Sequence, residues 1–373
     1  MIRTSFALAF ALTACSSQVA PAQSAKPFVA TAVATFDSPW AMVFLPGRGV
    51  AMTGAALITE KAGRLWLVDT ATGKRTAVTG VPKVDAGGQG GLGDVIVHPD
   101  FAGNGMIYLS WVEAGDRDTR GAVVGRGTLV LDGASARIDG LQIIWRQEPK
   151  VTGRGHFGHR LAFGPDAMLY ISSGERQKFT PAQDMTANLG KIIRLTDGGM
   201  VPSDNPFYDQ GRIKSQIWSF GHRNPLGIAF DAKGRLWEQE MGPQGGDEVN
   251  LIVKGKNYGY PIVSNGDHYD GRDIPDHAPG DGFEVPKVSW NPVISPAGLI
   301  VYSGAMFPAW KDNIFIGGLS SQALIRVAVD GDTAKETERY DMGTRIREVE
   351  QGPDGALWLL EDEGQLLKLT PKL

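Results

Sequence analysis

Short apolar runs separated by turn residues dominate the hydrophobic pattern of the 373-residue chain. One motif recurs: an apolar strand, a turn that carries Pro, Asp or Gly, and a second strand with a central aromatic residue. A spacing of roughly 40 to 80 residues suits one four-stranded unit with loops of varying length. The six copies occupy residues 44–50, 97–109, 163–170, 230–237, 307–316 and 351–359.

No stretch combines sustained helical periodicity with helix caps, so the pattern predicts an all-β protein. Six similar β units favour a six-bladed β-propeller with four-stranded antiparallel blades, because radial repetition closes the fold and protects strand edges. A β-sandwich is the competing interpretation, although six copies exceed what one sandwich needs. The longest irregular segment, residues 264–292, is interpreted as an insertion on one face.

The first residues have the pattern of an export signal. Arg3 precedes an apolar run at residues 6–12 that is too short to span a membrane. Residues 12–15, Leu-Thr-Ala-Cys, resemble a bacterial lipobox, which is cut before a cysteine that then carries lipid; the alternative is a leader cut later, near Ala22 or Ala25. We therefore expect a signal peptide at 1–14, a lipidated cysteine and flexible tether at 15–30, and one propeller domain at 31–373. The protein is expected in the periplasm, with the lipid on Cys15 as its only anchor to the outer membrane.

The composition and charge of the chain limit the kinds of protein it can be. An apolar content of 42% and a charged content of 21% allow a sizeable core. The 49 glycines show no Gly-X-Y period, which indicates many tight turns. The net charge of −4 comes without a basic stripe and argues against a nucleic-acid partner. Cys15 is the sole cysteine, so an intrachain disulfide is excluded.

Two loops carry candidate chemistry in the first half of the chain. His156 follows a glycine-rich turn and precedes an apolar strand, which is a position suited to a general base. Five glycines surround Gln89 in residues 85–94, and such a loop lets backbone approach a ligand closely. A plain flexible turn is the alternative interpretation of this second loop.

The second half of the chain contributes arginines and acids. Arg223 lies in the polar loop Gly-His-Arg-Asn-Pro and suits a carboxylate or an oxyanion; a surface turn is the alternative. Arg345 and Arg347 lie at i and i+2 without adjacent acids, which indicates either an anionic ligand or a basic surface strand. Asp247 and Glu248 offer hard oxygen ligands of the kind that Ca²⁺ prefers, unless they form a solvated acidic turn.

Together these loops resemble the soluble glucose/sorbosone dehydrogenase family, over about residues 35–369. Its members, the aldose sugar dehydrogenases among them, are six-bladed propellers that use pyrroloquinoline quinone and calcium. The motifs that carry the resemblance are Gln89 in its glycine loop, His98-Pro-Asp-Phe, His156 ahead of Arg160-Leu161, Leu189-Gly-Lys-Ile-Ile-Arg-Leu, Gly221-His-Arg-Asn-Pro, Gly-Gly-Asp-Glu-Val-Asn-Leu-Ile, Asn257-Tyr-Gly-Tyr-Pro and Arg345-Ile-Arg.

The resemblance implies a reaction, in which an aldose is oxidised at its anomeric carbon to a lactone and an electron acceptor then reoxidises the cofactor. His156 would take the proton of the anomeric hydroxyl while hydride passes to the quinone. Arg223 would lie over the quinone carbonyl, where negative charge develops. The cofactor would be bound by Gln89, Asn224, Arg345 and Arg347.

The resemblance also implies two calcium sites. The carbonyls of Gly242 and Pro243 would hold the calcium that binds the cofactor and polarises its reactive carbonyl. Glu248 and Tyr258 would hold a second, structural calcium.

Three departures from the family pattern concern specificity and affinity. Ser320 stands where the family often has a cofactor-binding lysine. His159 stands where a glycine is usual, and Gly155 where glucose-preferring members carry an acid. We therefore expect a broad aldose range. Two other functions stay open at this point: a non-catalytic propeller that binds a glycan or protein, and a calcium-dependent lactonase.

Overall fold

The structure, a computed structural model, describes residues 24–47, 54–133 and 135–372. The predicted signal peptide and Cys15 lie outside these ranges. Strands make up nearly all of the regular structure, and the α-helix among the described residues, Phe101–Asn104, has one turn. The strands are β1 (Phe28–Thr35), β2 (Pro39–Phe44), β3 (Ala55–Glu60), β4 (Arg64–Asp69), β5 (Arg75–Thr79), β6 (Leu92–Val97), β7 (Met106–Ala114), β8 (Arg120–Asp132), β9 (Ser135–Arg146), β10 (Gly158–Phe163), β11 (Leu169–Ser173), β12 (Lys191–Leu195), β13 (Ile217–Phe220), β14 (Pro225–Phe230), β15 (Leu236–Glu240), β16 (Gln244–Gly245), β17 (Asp247–Ile252), β18 (Gly266–Asp267), β19 (Val288–Trp290), β20 (Pro296–Val301), β21 (Ile314–Gly318), β22 (Ala323–Asp330), β23 (Thr333–Asp341), β24 (Ile346–Gln351), β25 (Leu357–Glu361) and β26 (Gln365–Pro371).

The strands form antiparallel sheets in near-sequential order, which confirms the all-β prediction. Four sheets have four strands each, in the orders β10-β11-β12-β13, β14-β15-β17-β19, β20-β21-β22-β23 and β1-β26-β25-β24. An eight-stranded sheet has the order β2-β3-β4-β5-β9-β8-β7-β6, and a two-stranded sheet pairs β16 with β18. Within the large sheet, β5 and β9 are parallel and pair at only two positions, Val78↔Ala136 and Thr79↔Arg137.

The sheets surround a common centre. Six strands (β2, β6, β10, β14, β20 and β24) each contact the next one in this series, and β24 contacts β2. The first and last strands of the described residues share one sheet, where β1 pairs with β26 from Phe28↔Pro371 to Thr35↔Gln365. This pairing ties β1 to the last sheet, so hydrogen bonds between the first and last strands help to close the series of sheets.

Apolar side chains fill the space between sheets. Fully buried Leu57, Phe101 and Leu109 belong to one core cluster. Phe28 packs edge-on against Tyr340, with the ring centroids 5.3 Å apart, and thereby fixes β1 to a neighbouring sheet. Strands β11, β12, β15 and β21 are buried at every position, so side chains on both of their faces are packed and their ends are held in fixed positions.

Two predicted boundaries were wrong. The tether was placed at residues 15–30, but β1 begins at Phe28, because this segment supplies hydrogen bonds to β26. The irregular segment 264–292 is not an insertion throughout, since β19 at its end is the outer strand beside β17. Among the described residues, no helix has the length and apolar character needed to cross a bilayer.

Candidate active site

A buried histidine–carboxylate pair lies where β10 begins and β11 ends. His156 precedes β10 with a left-handed φ of 50°, and Glu175 follows β11. The imidazole Nδ1 lies 2.5 Å from Glu175 Oε1. Backbone N–H groups of Gln177, Lys178 and Phe179 also donate to this carboxylate. The loop after β11 therefore folds around the Glu175 carboxylate and holds it against His156.

This pairing sets the protonation of the histidine. Burial lowers the pKa of His156 below its usual value, and the nearby Arg223 charge acts in the same direction, although the hydrogen bond to Glu175 opposes both. The pKa of Glu175 is lowered despite its burial, because His156 and backbone N–H groups stabilise the carboxylate. An ionised Glu175 accepts the Nδ1–H, so Nε2 keeps its lone pair. A neutral imidazole of this kind can act as a base at neutral pH.

The arginine loop after β13 is hydrogen-bonded to the histidine loop. The backbone N–H of Glu175 donates to the Arg223 carbonyl at 2.8 Å. Glu240, at the end of β15, accepts the backbone N–H groups of Arg223 and Asn224 at 2.5 and 3.0 Å. One Arg223 Nη donates to the Met241 carbonyl at 2.9 Å. The structure thus brings His156, Arg223 and Asn224 together, as the sequence predicted.

Several polar groups in this region have no partner. The Asn224 side chain is fully buried, yet neither its Oδ1 nor its Nδ2 makes a hydrogen bond to the protein. Arg223 Nε and the Tyr260 hydroxyl are also buried without a partner. An unsatisfied buried polar group costs about 1–3 kcal/mol. Such groups beside a candidate base are explained if a polar ligand supplies their hydrogen bonds.

The glycine loop around Gln89 contacts the histidine loop directly. Gln89 Oε1 accepts the backbone N–H of His156 at 2.6 Å, and Gln89 N–H donates to the Arg154 carbonyl at 2.8 Å. A Cβ atom at Gly88, where φ is +57°, would lie 2.6 Å from that carbonyl oxygen. The loop is therefore a built contact that requires glycine, and the interpretation as a plain flexible turn was wrong.

A cavity of about 450 Å³ opens beside these loops. Gln89, His159, Arg345 and Arg347 are among the residues that line it. The predicted cofactor-binding residues Gln89, Arg345 and Arg347, which come from two sheets, therefore line one space, whereas Asn224 is not among the lining residues.

The prediction that Arg345 and Arg347 have no adjacent acid is wrong, because one carboxylate lies beside both. Asp362, in the turn after β25, accepts Arg345 Nε at 2.8 Å and Arg347 Nε and Nη2 at 2.8 and 2.7 Å. The pKa of Asp362 is lowered, although its burial acts in the other direction, because the two guanidinium charges stabilise the carboxylate. Asp362 orients both arginines on one face and neutralises one of their two charges. Further N–H donors of each guanidinium are left for a ligand.

His159 is accommodated within the wall of the cavity. Its ring stacks on Trp40 with centroids 5.0 Å apart, and Nδ1 lies 2.8 Å from Ser110 Oγ. A Cβ at Gly93 would lie 2.0 Å from the ring, so Gly93 provides the space for it. Burial lowers the pKa of His159 to about 3, and the ring is neutral at any ordinary pH. The partners of the His159 ring are thus a hydroxyl and an indole.

A second polar cluster is buried between β15 and β17. Glu238 lies opposite Asn250 and Glu240 opposite Glu248. Asn250 Nδ2 is shared by Glu238 and Glu248 at 3.0 and 3.3 Å, while Glu238 Oε1 and Asn250 Oδ1 have no partner. His222 lies 3.2 Å from Glu240, and the ligand atoms of His222, Glu238 and Glu240 lie close enough together to hold a metal ion. Burial, with the Glu240 charge second, raises the pKa of both Glu238 and Glu248 well above the usual value.

The predicted calcium ligands lie around this cluster. The Tyr258 ring stacks on His222 with centroids 4.7 Å apart, but its hydroxyl already bonds to the Leu251 carbonyl and the Val253 N–H. The Tyr258 hydroxyl is therefore already engaged by the backbone. Gly242 and Pro243 lie in the following loop, where Asp247 accepts the Gly242 N–H at 2.9 Å. Asp247 is thus a buried brace for that loop and not part of a solvated turn.

Sequence reasoning missed the residues that orient the site. Glu175, Glu240 and Asp362 each hold a predicted residue in place, at separations of 15 to 19 residues along the chain. Their signal in the sequence is weak, because each is one acid at a strand end. All three acids could have been identified by their position, because each follows an apolar strand that ends at the same edge of a sheet as the residue it holds.

Comparison with known proteins finds a family and several relatives that this chain resembles. The glucose/sorbosone dehydrogenase family model matches residues 36–368. Aldose sugar dehydrogenase YliI of Escherichia coli is 41% identical over 344 residues, which cover 90% of this chain and 91% of that protein. The crystal structure of the soluble E. coli aldose sugar dehydrogenase in its apo-form has a TM-score of 0.87 at 39% identity, over 92% of this chain and all of that chain.

A solved relative contains the cofactor that the resemblance implies. The PQQ-bound form of aldose sugar dehydrogenase from Streptomyces coelicolor has a TM-score of 0.74 at 28% identity, over 94% of this chain and all of that chain. The family match extends over both histidine and arginine loops, the cavity and the buried acidic cluster. The chain belongs to the glucose/sorbosone dehydrogenase family.

Proposed function

We propose that this protein is a quinoprotein sugar dehydrogenase, which oxidises the anomeric carbon of aldoses to lactones with pyrroloquinoline quinone as hydride acceptor. The observation that carries the proposal is the convergence of a neutral, carboxylate-bound His156 with the unpartnered polar groups of Arg223 and Asn224. The family match and the PQQ-bound relative support the same reaction.

The residues of the site fit this cofactor. Pyrroloquinoline quinone is a planar tricarboxylate, so it needs cations and hydrogen-bond donors at its rim. Arg345 and Arg347 supply the cations in a cavity of about 450 Å³, and Asn224 and Gln89 supply amides. When bound, the quinone supplies the hydride-accepting carbon that no side chain offers.

The protein's own groups would act on the sugar and on developing charge. His156 Nε2 would take the proton of the anomeric hydroxyl, with Glu175 holding the ring in the required tautomer. Arg223 would stabilise negative charge that develops on the cofactor's oxygen. Its guanidinium is held by the Met241 carbonyl and keeps one buried N–H without a partner.

The finer features of the fold and location belong to the same proposal. The weak β5–β9 junction supports treating the eight-stranded sheet as two units, β2–β5 and β6–β9, and the closed series of six central strands supports a six-bladed propeller. The six units, with β1 completing the last, would be one domain. The leader at 1–14 and the lipid on Cys15 would place this domain in the periplasm, with an aldose and an electron acceptor as its partners.

Calcium completes the proposal. The carbonyls of Gly242 and Pro243 would hold the ion that contacts the cofactor. A second ion would lie at the buried cluster of Glu238, Glu248 and Asn250, near the Tyr258 carbonyl. Unpartnered oxygens on Glu238 and Asn250 support this second site, because buried carboxylates without a cation are costly.

Calcium should therefore stabilise the protein in a pH-dependent way. Without metal, Glu238 and Glu248 have raised pKa values in the folded state. The contribution of these two groups to the stability of the metal-free protein is therefore greatest below about pH 4.5 and is lost as pH rises. Calcium binds the ionised form, so we expect Ca²⁺ to raise the Tm more at pH 8 than at pH 5. Melting curves with Ca²⁺ or a chelator would measure this shift.

Glu248→Gln is the variant for the same measurement. It removes one buried charge, so we expect a smaller Tm gain from Ca²⁺, with a metal-free Tm at pH 8 no lower than that of the wild type. Glu363→Gln, an exposed carboxylate, is the matched control. Equal calcium shifts in the wild type and in Glu248→Gln would exclude Glu248 as a ligand.

Reconstitution tests the proposed activity. The mature protein, purified without cofactor, is combined with pyrroloquinoline quinone and Ca²⁺, and dye reduction is measured with a panel of aldoses. We expect reduction with several aldoses and none without quinone. No reduction, together with an unchanged quinone absorption spectrum, would refute the dehydrogenase and leave a non-catalytic binding protein or a lactonase.

A further inference from the structure

A lysine in the wall of the cavity has no role in the reaction proposed so far. Lys61 follows β3, is half-buried, and lines the same cavity as Arg345 and Arg347. Its ammonium donates to the Gly88 carbonyl at 2.8 Å, beside Gln89. Since an ammonium has three N–H donors, two are left for another partner.

Lys61 changes the charge of the cavity wall. Burial is the main cause that lowers the pKa of Lys61, and repulsion from Arg347 is the second, so the two cations lie near each other. Asp362 is the carboxylate of this wall and is already engaged by both arginines. Three cations and one carboxylate leave a net charge of about +2, which favours a ligand with at least two negative charges.

The family's usual lysine position cannot provide this charge. Ser320 stands there, is exposed, and its hydroxyl lies 3.4 Å from the Val293 carbonyl. At this point the cavity is lined by Leu319 and Ser295, which carry no charge. The lysine that does line this cavity, Lys61, lies at a different strand end, after β3.

We propose that Lys61 is a cofactor-binding residue, which pairs with a carboxylate of the quinone and takes the place of the lysine absent at Ser320. The inference rests on the proposed function, since it assigns one more contact to the same cofactor. The Gly88 carbonyl holds the ammonium in place, so its binding needs little reordering of the side chain. Charge-assisted hydrogen bonds of this kind are among the strong ones.

Cofactor titration tests this role without relying on activity. Apo-protein with excess Ca²⁺ is titrated with pyrroloquinoline quinone, followed by quenching of tryptophan fluorescence, for the wild type, Lys61→Met, Lys61→Arg and Lys233→Met. Lys233 is an exposed lysine in the turn between β14 and β15. We expect Lys61→Met to weaken binding about tenfold or more. Lys61→Arg should recover most of that loss, and Lys233→Met should match the wild type.

The trimethyl ester of the quinone separates charge from shape. Because the ester has no carboxylate, we expect it to bind the wild type and Lys61→Met equally. Equal affinity of the free acid for these two proteins would overturn the role of Lys61, while the proposed dehydrogenase would stand. If the wild type itself bound no quinone, the proposed function would be refuted, and the role of Lys61 with it. A lower affinity of Lys61→Met for both acid and ester would show a structural role and would also overturn the inference.

Discussion

His156→Gln should lower kcat by at least about 10²-fold, as expected when a general base is removed. Glutamine keeps the backbone N–H that donates to Gln89 and is close in size, so the loop should persist. Cofactor affinity should change by only a few-fold, because the cofactor is proposed to bind through other side chains. Steady-state kinetics with saturating quinone, beside a quinone titration, would measure both quantities.

The pH profile provides the second readout for His156. Since burial lowers its pKa, kcat/KM of the wild type should rise with pH through a midpoint below 6.5 and be constant at neutral pH. His98→Gln, in the turn between β6 and β7, is the matched control and should keep the wild-type profile. A variant at His156 that turned over at the wild-type rate would remove this residue from the reaction.

Glu175→Gln should have the next largest effect, a loss of about 10²–10³-fold in kcat. The amide no longer carries the charge that favours Nδ1–H, and its NH₂ group can donate to Nδ1 instead. The imidazole then presents Nε2–H where a lone pair is needed. Glu175 does not contact the substrate in this account and acts by positioning His156.

A shift in the pH profile separates this role from a general loss of structure. The Glu175 charge raises the pKa of His156 against burial. Its removal should therefore move the acidic limb of kcat/KM to lower pH, while the plateau falls. Glu363→Gln, an exposed acid, should change neither. A uniformly lower rate with the limb unmoved would mean that Glu175 only supports folding.

The sequence was sufficient to predict an all-β protein. Each repeat has apolar runs too short for helices, and turn residues separate them at regular intervals, so strands were the one solution that buries them. The boundaries at residues 28–30 and 288–290 could not be predicted in the same way. Both segments are strands because they pair with β26 and β17, which are distant in sequence.

The sequence likewise predicted some features of the candidate site and not others. Residue types and loop positions marked His156, Arg223, Asn224 and the arginine pair, because histidine, arginine and amide side chains in glycine-rich loops have specific chemical uses. The interpretation of the arginine pair as free of acids failed. Asp362 lies 15 residues after Arg347, on the next strand end, and only antiparallel pairing of β24 with β25 brings it there.

By itself, then, the sequence determined the β architecture, the residues able to perform proton transfer and anion binding, and the export pattern of its first residues. The tertiary structure decided which side chains orient them. Glu175 sets the tautomer of His156, Glu240 holds the arginine loop, and Lys61 adds a cation to the cavity. The physical reason is that pKa, charge balance and unpartnered hydrogen-bonding groups depend on distances across strand ends, which spacing along the chain does not specify.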